Sequence, residues 1–137
     1  MGGGRVILLL SSLLLTGLPG CLSRTKNQGE RLYAANCAGC HGEQGQGLAR
    51  LIPPLAGADY LAAHRDELPC LVRRGQNGPI VVNGVPYQQV MPAFPQLTPS
   101  QLTNLLNYVE SHWGNAGVPR TIPEVQQQLR YCPRREP

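Results

Sequence analysis

The chain has 137 residues, 12 Lys and Arg against 8 Asp and Glu, a net charge of +4, and only 5% aromatic residues, while 16 Gly and 13 Pro make up about a fifth of it. That length holds one domain and excludes a multi-domain enzyme; 15% charged residues exclude a disordered tail protein, and a single long apolar run excludes a polytopic membrane protein. With one Phe and one Trp, the core is either aliphatic or filled by something other than side chains.

Residues 1–20 read as an export signal. Arg5 precedes the apolar run Val6 to Leu15, which is too short to span a bilayer comfortably. The break Leu18-Pro19-Gly20-Cys21 resembles a bacterial lipobox, with Leu three before and a small residue one before the cysteine. This makes Cys21 the expected site of lipidation and places the domain outside the cytoplasm. Residues 1–20 carry one of the 12 basic residues and none of the 8 acidic ones, so their removal leaves 117 residues and a net charge of +3. That is too weak to argue for nucleic acid, and Arg73-Arg74 and Arg134-Arg135 are short pairs without interleaved aromatics.

Residues 21–28 read as a polar tether. A first helix is expected from Gly29 to Cys37, with Leu32, Tyr33 and Asn36-Cys37 at helical spacing. Cys37-Ala38-Gly39-Cys40-His41 is a C-x-x-C-H run, the pattern of c-type haem attachment. Two thiols at i and i+3 share a helix face and can add to two vinyl groups, and the next residue is then placed beneath the iron. A dithiol or half a zinc site would explain C-x-x-C alone; the adjacent His and the export signal favour haem.

Gly42 to Gly47 is a glycine-rich turn without the pattern of a phosphate loop, and Ile52 to Gly57 is extended because of Pro53 and Pro54. Ala58 to Arg74 reads as a second helix, capped by Asp59 and split near Glu67-Leu68 by Pro69. Gly75 to Pro95 is turn-rich; Ile80-Val81-Val82, Asn83-Gly84 and Val85 fit either a tiny hairpin or a loop. The clearest helix starts at Thr98-Pro99-Ser100-Gln101, a capping box with Pro at the first helical position. Leu102, Leu105, Leu106 and Val109 give it one apolar face, and Gly114 stops it. Thr121-Ile122-Pro123-Glu124 opens a shorter helix to about Tyr131.

With Cys21, Cys37 and Cys40 assigned, Cys70 and Cys132 remain, 62 residues apart. In an oxidising compartment they are a disulfide candidate, the alternative being one buried and one free thiol. The iron also needs a second axial ligand. Met91, the one methionine besides the initiator, sits in the rigid segment Val90-Met91-Pro92-Ala93-Phe94-Pro95 and off any helical stripe, which argues against core filler. His64, His112 and an open site compete with it.

Cys37-x-x-Cys40-His41-Gly42, Gly45-x-Gly47, Pro53-Pro54-Leu55-Ala56-Gly57, Gly75-x-x-Gly78-Pro79-Ile80, Met91-Pro92-Ala93-Phe94 and the Leu-rich last helix together resemble the class I (monohaem) bacterial cytochromes c, from about Gly29 to Asn115. The resemblance implies an all-α fold, a bundle of about four helices wrapped around one covalent haem c. It implies thioethers at Cys37 and Cys40, proximal His41, distal Met91, a Pro53 carbonyl that accepts from the His ring, Leu55 on the haem face, and Tyr87 or Trp113 at a propionate. It also implies a crossing of the first and last strong helices near Gly29, Tyr33 and Tyr108. Residues 29–115 would form the cytochrome domain and 116–137 an extension packed on it, outside the transferable pattern.

The function so implied is one-electron transfer without catalysis, both axial positions being filled and no small-molecule substrate being needed. Redox proteins would dock transiently at the exposed haem edge near Ala38, Gly39, Gly42, Ala93 and Phe94, and lipid on Cys21 would hold the carrier on the periplasmic side of the membrane. Rival readings are a haem subunit fixed in a larger oxidase, reductase or dehydrogenase complex, a gas-binding or peroxidase-like site with Met91 unbound, and a haem-free dithiol or zinc protein.

Overall fold

The structure is a computed structural model that describes residues 27–132. In chain order it contains α1 (Gln28–Asn36), α2 (Ala38–His41), α3 (Asp59–Ala63), a 3-10 turn (Arg65–Glu67), α4 (Leu68–Arg74), β1 (Ile80–Val82), β2 (Val85–Tyr87), α5 (Pro99–Ser111) and α6 (Ile122–Arg130). The fold is mostly helical, with more and shorter helices than the four expected and a two-stranded sheet added. The signal, Cys21 and most of the tether lie outside the described residues.

Helices α1 and α5 form the frame. Asn27 caps α1 through its side-chain oxygen on the Glu30 N–H at 2.8 Å, and α5 carries the full Thr98/Gln101 capping box. The two cross at Gly29, where a Cβ would collide with the Asn104 carbonyl and lie 2.7 Å from Tyr108 Cβ. Only a hydrogen at that position lets the backbones approach so closely. Tyr33, Leu102, Leu105, Leu106 and Val109 fill the seam and are almost completely buried. Each is worth roughly 1.5–3 kcal/mol of transfer free energy.

The helix expected over 58–74 breaks into α3, the 3-10 turn and α4. Pro69 sits at the start of α4, where its missing N–H is harmless. Asp59 does not cap α3; that position is Ala58. The Asp59 carboxylate instead accepts from the Asn83 N–H at 2.7 Å, and Asn83 Oδ1 accepts from the Asp59 N–H at 3.0 Å. This reciprocal pair fastens the turn of the β hairpin to α3. Asn83 takes φ 51° and Gly84 φ 75°, the left-handed pair that a two-residue hairpin turn needs. The tiny hairpin left open by the sequence is therefore formed.

The 116–132 segment packs across the back of the domain. Its Arg120 is 3% exposed and reaches four acceptors: both Glu110 oxygens at 2.6 and 2.9 Å, the Arg65 carbonyl at 2.6 Å and Gln128 Oε1 at 3.1 Å. Arg65 also holds Glu110 at 2.9 Å. A disulfide joins Cys70 in α4 to Cys132 just past α6, with Cα atoms 5.5 Å apart. Val125, fully buried, is the apolar anchor between these two attachments.

Removing Arg120 strands Glu110 in the interior with Arg65 alone. Arg120→Ala should cost about 3 kcal/mol, the lower end of the range for breaking a buried pair, read as a drop in the urea midpoint at constant slope. Replacing Glu110 and Arg120 together by apolar residues should cost less than either single change, because no unpaired charge is then left inside.

Candidate functional site

Cys37, Cys40 and His41 stand at one wall of a cavity of about 360 Å³. Cys37 ends α1 and α2 begins one residue later, so the two cysteines share a tight turn in which the Cys40 N–H donates to the Cys37 carbonyl at 3.1 Å. Both thiols are free, Cys37 buried and Cys40 exposed. Burial, reinforced by Cys40, pushes the Cys37 thiol up to about 12.

His41 is 8% exposed, and its Nδ1 lies 3.0 Å from the Pro53 carbonyl oxygen. A carbonyl can only accept, so Nδ1 carries the proton and Nε2 presents a lone pair. Burial holds the imidazole pKa below its usual value, only partly offset by the Pro53 bond, and this keeps the ring neutral. Neutral imidazole with one nitrogen tied back is the form that binds metal.

The loop that delivers Pro53 is built by backbone bonds. The Gly47 N–H donates to the His41 carbonyl at 2.8 Å, Leu48 and Ile52 pair in both directions, and Leu55 and Ala56 donate to Gly45 at 2.7 and 2.9 Å. Gly47 has φ 70°, and a Cβ there would run into the Ile52 carbonyl and sit 2.8 Å from the Pro53 carbonyl carbon. The glycine thus sets the path of the chain beneath the imidazole. Asn115 closes the loop from α5's end, donating to Leu55 at 2.8 Å and Val109 at 2.9 Å.

Met91 lines the same cavity, with Leu55, Tyr87 and the α4 residues Leu68, Leu71 and Val72. It is half-buried, and its backbone pairs in both directions with Gln76, at 2.9 and 3.0 Å. The competing histidines are elsewhere. His64 stacks on Tyr60 at 4.0 Å and faces Glu67 at 3.7 Å. His112 lies over Tyr108 at 4.0 Å, with Nδ1 2.7 Å from the Tyr108 carbonyl.

Trp113, one of the two aromatics expected near a propionate, is not among the residues that line the cavity. Its left-handed backbone, φ 53°, turns the indole onto Tyr33 at 4.8 Å and Tyr108 at 5.4 Å, behind the helix crossing. Tyr87, the other aromatic expected there, is 6% exposed and does face the cavity. Sequence reasoning missed Gln76, 8% exposed in the same wall, whose Oε1 is buried with no hydrogen-bond partner among the described residues. No periodicity or motif singles it out; the signal is its pairing with Met91, which needs the fold.

The donor set fits a flat, apolar, covalently held metal macrocycle. Two free thiols and an imidazole nitrogen stand at one wall and a thioether residue lines the same space. The rest of the lining is almost wholly aliphatic, as a large apolar group requires.

The cytochrome c family profile matches residues 27–113. The chain is 38% identical over 112 residues to cytochrome c-552 of Thermus thermophilus, covering 79% of this chain and 72% of that protein. It is 32% identical over 108 residues to the cytochrome c subunit of a quinone alcohol dehydrogenase from Gluconobacter oxydans, covering 76% of this chain but 22% of that subunit. A gluconate 2-dehydrogenase cytochrome c subunit of Pantoea cypripedii is 33% identical over 90 residues, 64% of this chain and 20% of the subunit. A haem-free dithiol or zinc protein is set aside, and this chain belongs to the cytochrome c family, whose members carry covalently bound haem c and transfer electrons without being catalytic themselves.

Proposed function

We propose that this chain is a single-haem electron carrier in which Cys37 and Cys40 form the thioethers, His41 Nε2 is the proximal ligand and Met91 Sδ the distal one. The observation that carries the reading is the His41 Nδ1–H bond to the Pro53 carbonyl at 3.0 Å, which leaves a neutral ring with only Nε2 available at a wall bearing two free thiols. When bound, the haem iron supplies reversible exchange of one electron. The chain's residues do the rest. Pro53 fixes the imidazole orientation, and the aliphatic wall from Leu55, Leu68, Leu71 and Val72 excludes water and disfavours added positive charge. Tyr87 offers a hydroxyl to a propionate at the edge of the pocket. Exposed Cys40 brings one attachment point to the surface, where a redox partner can approach closely.

The domain, about 29–115, is delivered outside the cytoplasm by residues 1–20 and tethered through a lipid on Cys21. Among the described residues no helix is long and apolar enough to cross a membrane. Likeness to cytochrome subunits of sugar-acid and alcohol dehydrogenases supports a second reading, a haem subunit fixed in such a complex. Those proteins are about five times longer than the matched region, and the likeness to the Thermus cytochrome, which extends over most of both chains, favours the free carrier.

Two measurements test these assignments. The oxidised holoprotein should show the weak thioether-to-ferric-iron absorption band, and Met91→Ala should lose it and gain binding of carbon monoxide in the reduced state; a band that survives the substitution overturns Met91. Cys21→Ser should shift the protein from the membrane to the soluble periplasmic fraction, with the absorption spectrum unchanged.

A further inference from the structure

The strands β1 and β2 extend into a longer ladder than their three residues each. Ile80 pairs with Tyr87, Val81 with Pro86 and Val82 with Val85, and the separate bridge of Gln76 with Met91 lies in the same antiparallel register. Paired residues share a face, as do residues two apart. Gln76, Ile80 and Val82 from one limb and Tyr87, Gln89 and Met91 from the other all line the cavity, while Val81 and Pro86 point to solvent. Met91 is thus presented by a β face, with Gln76 directly across from it. Because the two exchange both backbone bonds, their Cα atoms stand about 5.5 Å apart and their side chains lie side by side.

Gln76 is the only buried amide in this wall. Its Nε2 is 3.5 Å from the Gly78 carbonyl, which can only accept, so the NH2 end turns that way and the oxygen is left buried in the wall without a hydrogen-bond partner. An unpartnered buried carbonyl costs stability that a leucine there would not. We propose that Gln76 is a positioning residue for charge, setting the redox poise of the site: the negative end of its amide dipole, beside Met91, stabilises the oxidised form and lowers the reduction potential. The oxidised site carries one more positive charge than the reduced one, and in an apolar, water-poor wall a fixed dipole acts on that charge with little screening. The proposal rests on Met91 as the distal ligand.

The test is the midpoint potential of the holoprotein in wild type, Gln76→Leu and Gln76→Met, with the thioether band recorded in each. Leucine differs from glutamine in shape while methionine matches its length, and both abolish the dipole. Both should keep the band and raise the reduced-to-oxidised ratio at fixed applied potential by about threefold, ~28 mV at 59 mV per tenfold for one electron. Gln88→Leu, exposed and outside the cavity lining, should leave the potential unchanged because water already screens that amide. An unchanged or lowered potential in both Gln76 variants overturns the proposal, as does an equal rise in Gln88→Leu. Loss of the band in both Gln76 variants also overturns it, because Gln76 would then govern whether Met91 binds at all. Absence of the band from the wild type would instead overturn the ligand assignment itself.

Discussion

One hydrogen bond organises the rest, the donation from His41 Nδ1 to the Pro53 carbonyl at 3.0 Å. It requires a chain path that carries residue 53 beneath the ring of residue 41, and most of the loop between them serves that path. Gly45, Gly47, the Leu48–Ile52 pairing and Asn115 each close one degree of freedom. The same bond selects the tautomer, so a backbone carbonyl decides which ring nitrogen can meet a metal. A side-chain acceptor there could rotate or titrate; a carbonyl next to a second proline, held by the flanking Leu55 N–H bond, does neither.

Around that bond the molecule divides into two halves. One is the α1–α5 crossing at Gly29 with Tyr33, Leu102, Leu105 and Leu106, which sets where the C-x-x-C-H turn begins. The other half is the hairpin limb that carries Met91, tied to α3 by the Asp59–Asn83 exchange and to α4 through the Phe94 N–H bond to Val72 at 3.1 Å. The cavity lies between the two. The 116–132 segment braces the far side of both, with Arg120 on α5's Glu110 and Cys132 on α4's Cys70, and so resists their separation without covering the cavity.

Much of this was legible in the sequence because it is local chemistry. The capping boxes at Thr98 and Thr121, the break at Pro69 and the C-x-x-C-H turn are each specified by residues within one helical turn of one another. The family resemblance carried the fold and the electron-transfer reading. The illegible parts depend on partners distant in the chain. Asp59 reads as a helix cap until Asn83 is known to lie beside it. Nothing local in the sequence shows that the Trp113 ring meets Tyr33 and Tyr108. Gln76 reads as one polar residue in a turn-rich stretch until the ladder sets it opposite Met91. A thin aromatic core makes sense once the space is assigned to a covalent cofactor: three of the seven aromatics, Tyr33, Tyr108 and Trp113, meet at the helix crossing, and the cavity wall is mainly aliphatic.

The hairpin register has a consequence for how this chain can vary. Met91 faces inward because it lies in phase with Gln76, Ile80 and Tyr87 on a two-residue repeat. An insertion or deletion of one residue in a single limb would turn every side chain beyond it to the opposite face, unless a bulge absorbed the change. Length changes are therefore tolerated when matched in both limbs or confined to the turn at Asn83-Gly84. Among relatives built on this hairpin, the number of residues in the two limbs between the Gly75 and Met91 positions, the turn left out, should change in even steps, an arithmetic signature that a motif search for the methionine alone would pass over.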